Sequence, residues 1–229
     1  MTGGNSDDSG VFQNALPVLA PVAPGAARAL GIPRVLSCTN GVALTFDDGP
    51  HPEGTPAVLD ILAQMRARAA FFLVGEQVQR RPSLVREIVA AGHTVALHGY
   101  RHRLQLKLGK TELAADLERG LAAIADAAGL EPGWHRPPYG IYSMGGLRVA
   151  RALGLRPLLW SRVGKDWRRS ATPPRIATRA TKKISQGDVI LLHDADFYSA
   201  KNSHRQTAKA LPLIIAELRR RRLETALPL

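Results

Sequence analysis

Short apolar runs alternate along this chain with longer amphipathic stretches, and this alternation restricts the fold more than any other feature. The short runs have the length and composition of buried strands and cover residues 42–46, 70–74, 94–97, 155–160 and 189–192. The longer stretches repeat apolar residues at helical spacing and cover residues 56–68, 83–91, 111–128, 145–153, 173–184 and 205–222. Such alternation predicts an α/β protein in which helices cover a parallel sheet.

The first forty residues differ in composition from the rest of the chain. Residues 1–40 are rich in Pro, Gly, Ala and polar residues and show no sustained period, which predicts a loosely structured N-terminal arm. The chain has 229 residues, of which 45% are hydrophobic, so it can bury one sizeable core. We therefore predict an arm over residues 1–40 and a single folded domain over residues 41–229.

The charge balance is strongly basic, with 31 Lys and Arg against 19 Asp and Glu and a formal net charge of +12. A positive charge of this size favours anionic partners through long-range attraction. Only residues 219–222 form a basic run, and no aromatic residue interrupts it. Because neither a base-reading motif nor a stacking platform accompanies the charge, we predict no nucleic-acid binding.

Cysteine content and the N-terminal sequence bear on the compartment. The single cysteine, Cys38, excludes an internal disulfide and a multi-thiolate metal site. The first ten residues are acidic where a secretory signal is basic, and prolines interrupt the apolar stretch over residues 11–30. No uninterrupted apolar run approaches the ~20 residues that a membrane span needs. The sequence therefore predicts no membrane span and a cytoplasmic location.

Ionisable side chains stand at the same end of successive predicted strands. Asp47 and Asp48 follow the first strand, His98 follows the strand over residues 94–97, and His193 follows the last strand. Chemistry in parallel sheets collects at the carboxyl ends of the strands. We therefore expect these side chains to converge on one site.

The residue types at these strand ends are typical of a metal site. Asp47 and Asp48 precede a Gly-Pro turn, and two adjacent carboxylates repel each other unless a cation or an arginine offsets them. His98 and His102 are four residues apart and can face one cation. One carboxylate with two imidazoles suits Zn²⁺ or another divalent first-row ion and leaves positions open for water and substrate. Each pattern alone is usually an ordinary turn or a coincidence, whereas the combination predicts a metal centre.

From about Val42 to the C-terminus the chain resembles the NodB-type polysaccharide deacetylases, carbohydrate esterase family 4. The first motif of that family, Thr-Phe-Asp-Asp-Gly-Pro, is present in full at residues 45–50. The second, usually His-Ser-x-x-His, is present at residues 98–102, where Gly99 replaces the serine. The first string alone is highly diagnostic of the family.

Three further motifs follow in the family's order. The third, Arg-x-Pro-x-Gly, is present at residues 136–140, and the fifth, Leu-x-His, at residues 191–193. The fourth commonly ends Asp-x-x-Asp-Trp, but here Val163 replaces its first Asp and only Asp166 and Trp167 remain. The resemblance implies a distorted (β/α)7 barrel of the NodB type.

The resemblance also implies an activity and a cofactor. The expected reaction is the hydrolysis of the acetamide of an N-acetylated amino sugar to the free amine and acetate. Asp48, His98 and His102 are the implied ligands of one divalent metal ion. Zinc fits these ligands best, with cobalt, nickel and manganese as alternatives.

The remaining site residues are assigned through the same resemblance. Asp47 is the implied general base, and Arg136 pairs with it. His193 is the implied general acid for the leaving amine, with Asp166 fixing its tautomer. The resemblance implies an oxyanion hole at the backbone N–H of Tyr139. Expected substrate contacts involve Trp167, Tyr139 and Pro138.

Several alternatives remain open at this point. The chain could be a family member that only binds the sugar, or an enzyme that uses the metal as a Lewis acid in non-hydrolytic carbonyl chemistry. The substrate is a poly- or oligosaccharide, or a sugar conjugate of a secondary metabolite or a lipid-linked intermediate, and the net charge favours an anionic one. The remaining histidines are expected at the surface or in turns: His51, His93, His135 and His204.

Overall fold

A computed structural model describes residues 16–37 and 41–228 of the chain. Its centre is a parallel sheet in the order β5-β4-β3-β2-β1-β7-β6, with β8 also pairing with β1. The strands are β1 Gly41–Asp47, β2 Ala69–Leu73, β3 Thr94–Leu97, β4 Trp134–His135, β5 Arg156–Pro157, β6 Arg162–Val163, β7 Val189–His193 and β8 Glu224–Thr225. The sheet curls into a half-barrel, which confirms the predicted distorted (β/α)7 barrel.

Helices cover the sheet because the central strands are buried on both faces. Every residue of β1 and β2 is buried, which explains why these strands have near-continuous apolar runs rather than alternating ones. The helices are α1 Pro24–Ala29, α2 Gly54–Gln64, α3 Gly75–Arg80, α4 Pro82–Ala90, α5 Lys110–Ala128, α6 Met144–Ala152, α7 Pro173–Ala180 and α8 Ser203–Arg220. Their apolar faces form one large core with the outer face of the sheet.

The sequence pattern found the long elements and missed the short ones. Strands β4, β6 and β8 have two residues each, too few to show a period, and α3 was not predicted. Residues 155–160 were predicted as one strand, but only Arg156–Pro157 pairs as β5. Beyond β5, the carbonyl groups of Leu158 and Leu159 accept hydrogen bonds from the Arg136 side chain. A buried guanidinium thus replaces a neighbouring strand there.

The N-terminal region is more ordered over residues 16–37 than the sequence indicates. Residues 16–19 are helical, α1 follows, and Ala20, Ala27 and Ile32 are buried in the main core. Small alanines allow this close approach but contribute little to hydrophobic periodicity. Residues 1–15, 38–40 and 229, which include Cys38, lie outside the described part of the chain, and a domain boundary at residue 40 stays a prediction.

Strand register sets the starting positions of the site residues. Asp47 on β1 is paired with His193 on β7, and Leu97 on β3 is paired with His135 on β4. Asp47 and His193 therefore lie side by side at the carboxyl end of the sheet. Among the described residues, no helix combines the length and apolar character required to cross a membrane.

Candidate metal centre and active site

Three predicted metal ligands meet at the carboxyl end of the barrel. Asp48 Oδ1 lies 3.4 Å from His98 Nε2 and 3.3 Å from His102 Nε2. A tetrahedral ion with bonds of 2.0–2.2 Å separates its ligands by roughly 3.3 Å, so the spacing fits one Zn²⁺-sized ion. Asp48 Oδ1 is buried and has no hydrogen-bond partner among the described residues, as expected of an atom that serves a cation.

The tautomer of His98 leaves the required nitrogen free. Its Nδ1 lies 2.7 Å from the backbone carbonyl oxygen of Arg136, which can only accept, so Nδ1 carries the proton. The lone pair of Nε2 is therefore directed towards Asp48, as in histidine ligands held by an outer hydrogen bond. For His102, burial lowers the pKa to about 4 despite the opposing charge of Asp48. His102 is thus available in its neutral, ligating form.

Asp47 is held beside the metal ligands by a buried arginine. Arg136 Nη1 donates to Asp47 Oδ1 at 2.7 Å and to the Thr45 hydroxyl at 2.9 Å. The guanidinium is fully buried and lies 4.0 Å from the centre of the Phe72 ring. The other oxygen of Asp47, Oδ2, lies 3.9 Å from His98 Nε2. Arg136 therefore holds Oδ1 of Asp47, while Oδ2 faces His98 and the other predicted metal ligands.

The turn after β4 carries Tyr139 in the left-handed region of the backbone, with φ of 62°. Its ring is 57% exposed and meets the edge of the His102 ring at 4.7 Å between centroids. Gly140 follows at φ of 70°, and a Cβ there would collide with the indole of Trp160. The Pro138–Gly140 turn therefore packs against Trp160, and this contact holds Tyr139 next to His102.

His193 is bound on its Nδ1 side by a buried carboxylate. Its Nδ1 lies 2.9 Å from Asp166 Oδ1, and its backbone N–H donates to Asp166 Oδ2 at 2.7 Å. The hydroxyl of Thr207 also donates to Asp166 Oδ2, at 2.8 Å. Burial opposes protonation of His193, but the charge and hydrogen bond of Asp166 outweigh it and raise the pKa of His193 to about 10. The ring is therefore a cation at neutral pH.

A cleft of about 520 Å³ opens onto these groups. Among the predicted site residues, it is lined by Asp47, Asp48, His98, His102, Tyr139, Trp167 and His193. Trp167 meets the His193 ring edge-on at 5.4 Å. The side chains of Arg136 and Asp166 are completely buried, and they contact the cleft residues Asp47 and His193, respectively. Pro138 is buried and does not line the cleft, so its expected contact with the substrate has no support in the geometry.

Both departures from the family motifs have a local structural setting. Gly99 has φ of 86°, a region that strains any side chain, and a Cβ there would lie 3.3 Å from a carboxylate oxygen of Asp116. The same Asp116 oxygen accepts the N–H of Tyr100 at 2.9 Å. Val163 pairs with Leu191 across β6 and β7, and both line the cleft. The second departure thus makes one side of the cleft more apolar.

Sequence reasoning missed two parts of the cleft. Tyr198, from the loop after β7, stacks on His102 with centroids 4.1 Å apart and rings inclined by 10°. The N-terminal region contributes Val18, Pro21 and Val22, which form part of the apolar lining of the cleft. The strand-end rule could have indicated Tyr198, since it follows β7 closely. No local signal indicates the N-terminal residues, because their position depends on tertiary packing.

The other histidines are not at the surface, which was one of their two expected settings, although His51 and His93 do border turns. His51, His93, His135 and His204 are all buried. His135 is bonded to the Tyr142 hydroxyl at 2.9 Å, and burial lowers its pKa to about 3. His51 and His204 lie on either side of Asp196 and form a second compact His/Asp group. The sequence did not indicate these groups because each histidine is buried by contacts that are distant in the chain.

The chain matches the family model described as "Polysaccharide deacetylase" over residues 37–158, more than half of its length. The chain belongs to this family. A chitooligosaccharide deacetylase of Bradyrhizobium sp. (strain ANU 289) is 36% identical over 82% of this chain and 89% of the relative. A peptidoglycan-N-acetylglucosamine deacetylase of Bacillus cereus is 34% identical over 78% of this chain and 82% of the relative.

A solved structure extends the comparison to three dimensions. The family 4 carbohydrate esterase from Streptomyces lividans, in complex with acetate, superposes with a TM-score of 0.74 at 34% identity. The match covers 83% of this chain and 94% of that one. The polysaccharide deacetylase described here is therefore an enzyme of the NodB type, a hydrolase of carbon–nitrogen bonds other than peptide bonds.

Proposed function

We propose that this polysaccharide deacetylase is a metal-dependent N-deacetylase that hydrolyses the acetamide of an N-acetylated amino sugar to the free amine and acetate. The observation that carries the proposal is the convergence of Asp48 Oδ1 with the Nε2 atoms of His98 and His102 within 3.4 Å. These residues would hold one divalent ion, for which Zn²⁺ is the best fit. Such an ion polarises a carbonyl group and lowers the pKa of water.

Asp47 is suited to accept the proton of the attacking water. Its Oδ2 lies on the side of the ligands, while Oδ1 is held by Arg136 at 2.7 Å. A general base needs an acceptor oxygen that faces the water, and Oδ2 of Asp47 can supply it. The backbone N–H of Tyr139 is the proposed donor to the negative oxygen that develops on the former carbonyl.

His193 is suited to protonate the leaving amine. An amide nitrogen cannot depart as an anion, so an acid must supply a proton as the C–N bond breaks. Asp166 binds Nδ1 and leaves Nε2 as the donor on the side of the cleft. Because Asp166 raises the pKa of His193 to about 10, the proton is present at neutral pH.

Different observations support the identity of the acyl group and the character of the sugar in the proposed substrate. The Streptomyces lividans esterase has been solved with acetate, which supports an acetyl group as the one removed here. Trp167 and Leu191 line the cleft together with His193 and can pack against the methyl group of the acetyl substituent. Lys165 and Arg168 also line the cleft, which supports an anionic substituent on the sugar.

Acetate release is the direct test of this proposal. The purified protein would be incubated with N-acetylated amino sugars, free, oligomeric and conjugated, with and without a chelator. We expect stoichiometric acetate and free amine, loss of both after chelation, and recovery after adding Zn²⁺. Binding without acetate release, or a product other than acetate, would overturn the proposal in favour of a sugar-binding or Lewis-acid role.

A further inference from the structure

We infer that Val18, Pro21 and Val22 form a fixed apolar wall of the substrate cleft and bind an apolar aglycone of the amino sugar. The inference rests on the proposed function and names the class of substrate. This wall lies outside residues 37–158, the part of the chain that matches the family model. It is therefore a property of this chain that the family match does not account for.

The segment that carries the wall exposes its two valines and buries the alanine between them. Val18 is 38% exposed and Val22 is 77% exposed, and both line the cleft. Ala20, between them, is completely buried in the main core. A segment that only packed against the barrel would bury its valines, because they remove more apolar area from water than alanine does. Exposed apolar residues that line a cleft are typical of a binding surface.

The wall is held in place rather than hanging over the cleft. Arg34 donates to the carbonyl oxygen of Pro21 at 3.1 Å and to the carbonyl oxygen of Trp160 at 2.7 Å. Ala27 and Ile32 join the same core as the barrel helices. Since Trp160 itself lines the cleft, the guanidinium ties the wall to a cleft residue. A ligand that contacts Val18 and Val22 need not order this segment first.

The apolar lining of the cleft continues from the wall towards the catalytic groups, and this indicates which part of a substrate the wall binds. Trp160, Val163 and Trp167 line the same cleft as the wall and the catalytic groups. The acyl group of the proposed reaction is an acetyl group, whose two carbons are too few to cover this lining as well as the surface beside His193. Valine side chains offer no hydrogen bond to sugar hydroxyls, so the group that gains from the wall is an aliphatic or aromatic substituent. The cleft volume of about 520 Å³ suits a small conjugate.

The test compares alkyl glycosides of N-acetylglucosamine that differ only in chain length. Burial of one methylene is worth roughly a fourfold gain in binding. We expect kcat/KM for acetate release to rise at least about tenfold from the methyl to the butyl glycoside. In the double variant Val18→Ser/Val22→Ser the rise should disappear, so that the methyl and butyl glycosides react with similar kcat/KM. Leu19→Ser is the matched control, since Leu19 is 47% exposed but does not line the cleft.

The outcomes separate this inference from the proposed function. No acetate from any glycoside would overturn the proposed function itself. Acetate release without dependence on chain length, or with the dependence retained in the double variant, would overturn only the wall. A methyl glycoside with an N-butanoyl group supplies the last arm. If kcat/KM is higher for this substrate than for its N-acetyl counterpart, and the difference disappears in the double variant, the wall binds the acyl chain. That result would overturn the proposal that it binds an aglycone.

A different observation carries a second inference: the structure assigns Tyr198 as the positioning residue of His102. Metal-binding histidines nearly always donate their second ring N–H to an oxygen atom. His98 follows this rule through the Arg136 carbonyl, but Nδ1 of His102 is buried and has no hydrogen-bond partner in residues 16–37 or 41–228. The ring of His102 is instead covered by Tyr198 at 4.1 Å, almost parallel.

Tyr198 is itself fixed at its hydroxyl group. The hydroxyl donates to Glu76 Oε1 at 3.0 Å and accepts from Gln77 Nε2 at 3.5 Å, both on α3. Tyr139 meets the edge of the same imidazole at 4.7 Å. Two tyrosines therefore restrict the rotation of a ligand that lacks an outer hydrogen bond, and the parallel stack of Tyr198 covers the larger surface.

Metal affinity is the readout for Tyr198, because a structural role alone would not change it selectively. In competition with a chromophoric chelator, Tyr198→Leu should bind Zn²⁺ about 10–100-fold more weakly than the wild type. Tyr198→Phe keeps the stack and should stay within about threefold. Unchanged affinity in Tyr198→Leu, or an equal loss in Tyr198→Phe, would overturn the assignment. Independently of any variant, NMR of the metal-free wild type should show His102 ring protons shifted upfield by the tyrosine, and unshifted protons would contradict it.

Discussion

Two groups in this molecule each contain two histidines and one aspartate at coordinating distances, yet their chemistry differs. In the first, His98 and His102 meet Asp48, and Nδ1 of His98 donates to a carbonyl oxygen. In the second, His51 and His204 flank Asp196 at 3.2 and 3.4 Å. The distances are alike, so distance alone does not distinguish a metal centre from a buried polar cluster.

The partner of the second ring nitrogen makes the difference. Nδ1 of His51 accepts the backbone N–H groups of Glu53 at 3.2 Å and Gly54 at 2.9 Å, at the start of α2. The proton of the neutral ring must then be on Nε2, directed at Asp196. Burial and the nearby His204 lower the pKa of His51 and favour this neutral form. Its ligating nitrogen therefore has no free lone pair, and we interpret the second group as a clamp between two loops.

The change with the largest expected effect is Asp48→Ala. It removes the only carboxylate of the first group, so the ion and its effect on the carbonyl are lost together. We expect acetate release to fall by about 10⁴-fold or more. The measurement is steady-state kinetics with excess Zn²⁺ in the buffer. Recovery of wild-type activity by added Zn²⁺ would show that Asp48 is not a required ligand.

Asp47→Asn separates the ligand from its neighbour. The amide keeps the shape of the side chain and one hydrogen bond from Arg136, but cannot take a proton from water. We expect acetate release to fall about 10³-fold with the metal content unchanged. Both quantities would be measured on the same preparation. Full activity would assign the general base to another residue.

His193→Ala tests the proposed acid and should lower kcat by roughly a hundredfold or more with little change in metal content. The acidic form of His193 is lost as the pH rises through its raised pKa of about 10. Asp166→Asn removes the main cause of that shift, so the alkaline limb of the kcat profile should move to lower pH. An alkaline limb that stays in place would exclude His193 as the titrating acid.

The smallest effect is expected from Asp196→Asn in the second group. The amide oxygen can still accept the N–H of Asn202, which now lies 2.6 Å from the carboxylate. We expect kcat within about threefold of the wild type and a loss of about 1–3 kcal/mol in the free energy of unfolding. Chemical denaturation and kinetics measure the two quantities. A loss of activity comparable to that of Asp47→Asn would contradict a purely structural role for the clamp.

The first group could be predicted from the sequence and the second could not. Asp48 and His98 directly follow apolar strands, where parallel sheets collect functional residues, His102 is four residues beyond His98, and the motif strings are specific. His51 and His204 are 153 residues apart in the chain, yet both contact Asp196. The sequence around either histidine does not indicate that it is buried. The tautomer of His51 depends on the backbone at the start of α2, which no residue pattern encodes.

The margins of the cleft were equally hidden from sequence reasoning. The stack of Tyr198 on His102 depends on how the loop after β7 folds back over the site. Val18 and Val22 reach the cleft because Arg34 ties Pro21 to Trp160. These contacts join segments far apart in the chain and show no hydrophobic period. The sequence therefore indicates the ionisable residues of the cleft better than its apolar and aromatic surfaces.

Metal stoichiometry distinguishes the Asp48 group from the Asp196 group. The wild type, Asp48→Ala and Asp196→Ala would be saturated with Zn²⁺, dialysed and analysed for zinc and protein. We expect one ion per chain in the wild type and in Asp196→Ala, and none in Asp48→Ala. Two ions per wild-type chain, or zinc that is kept by Asp48→Ala and lost by Asp196→Ala, would contradict it.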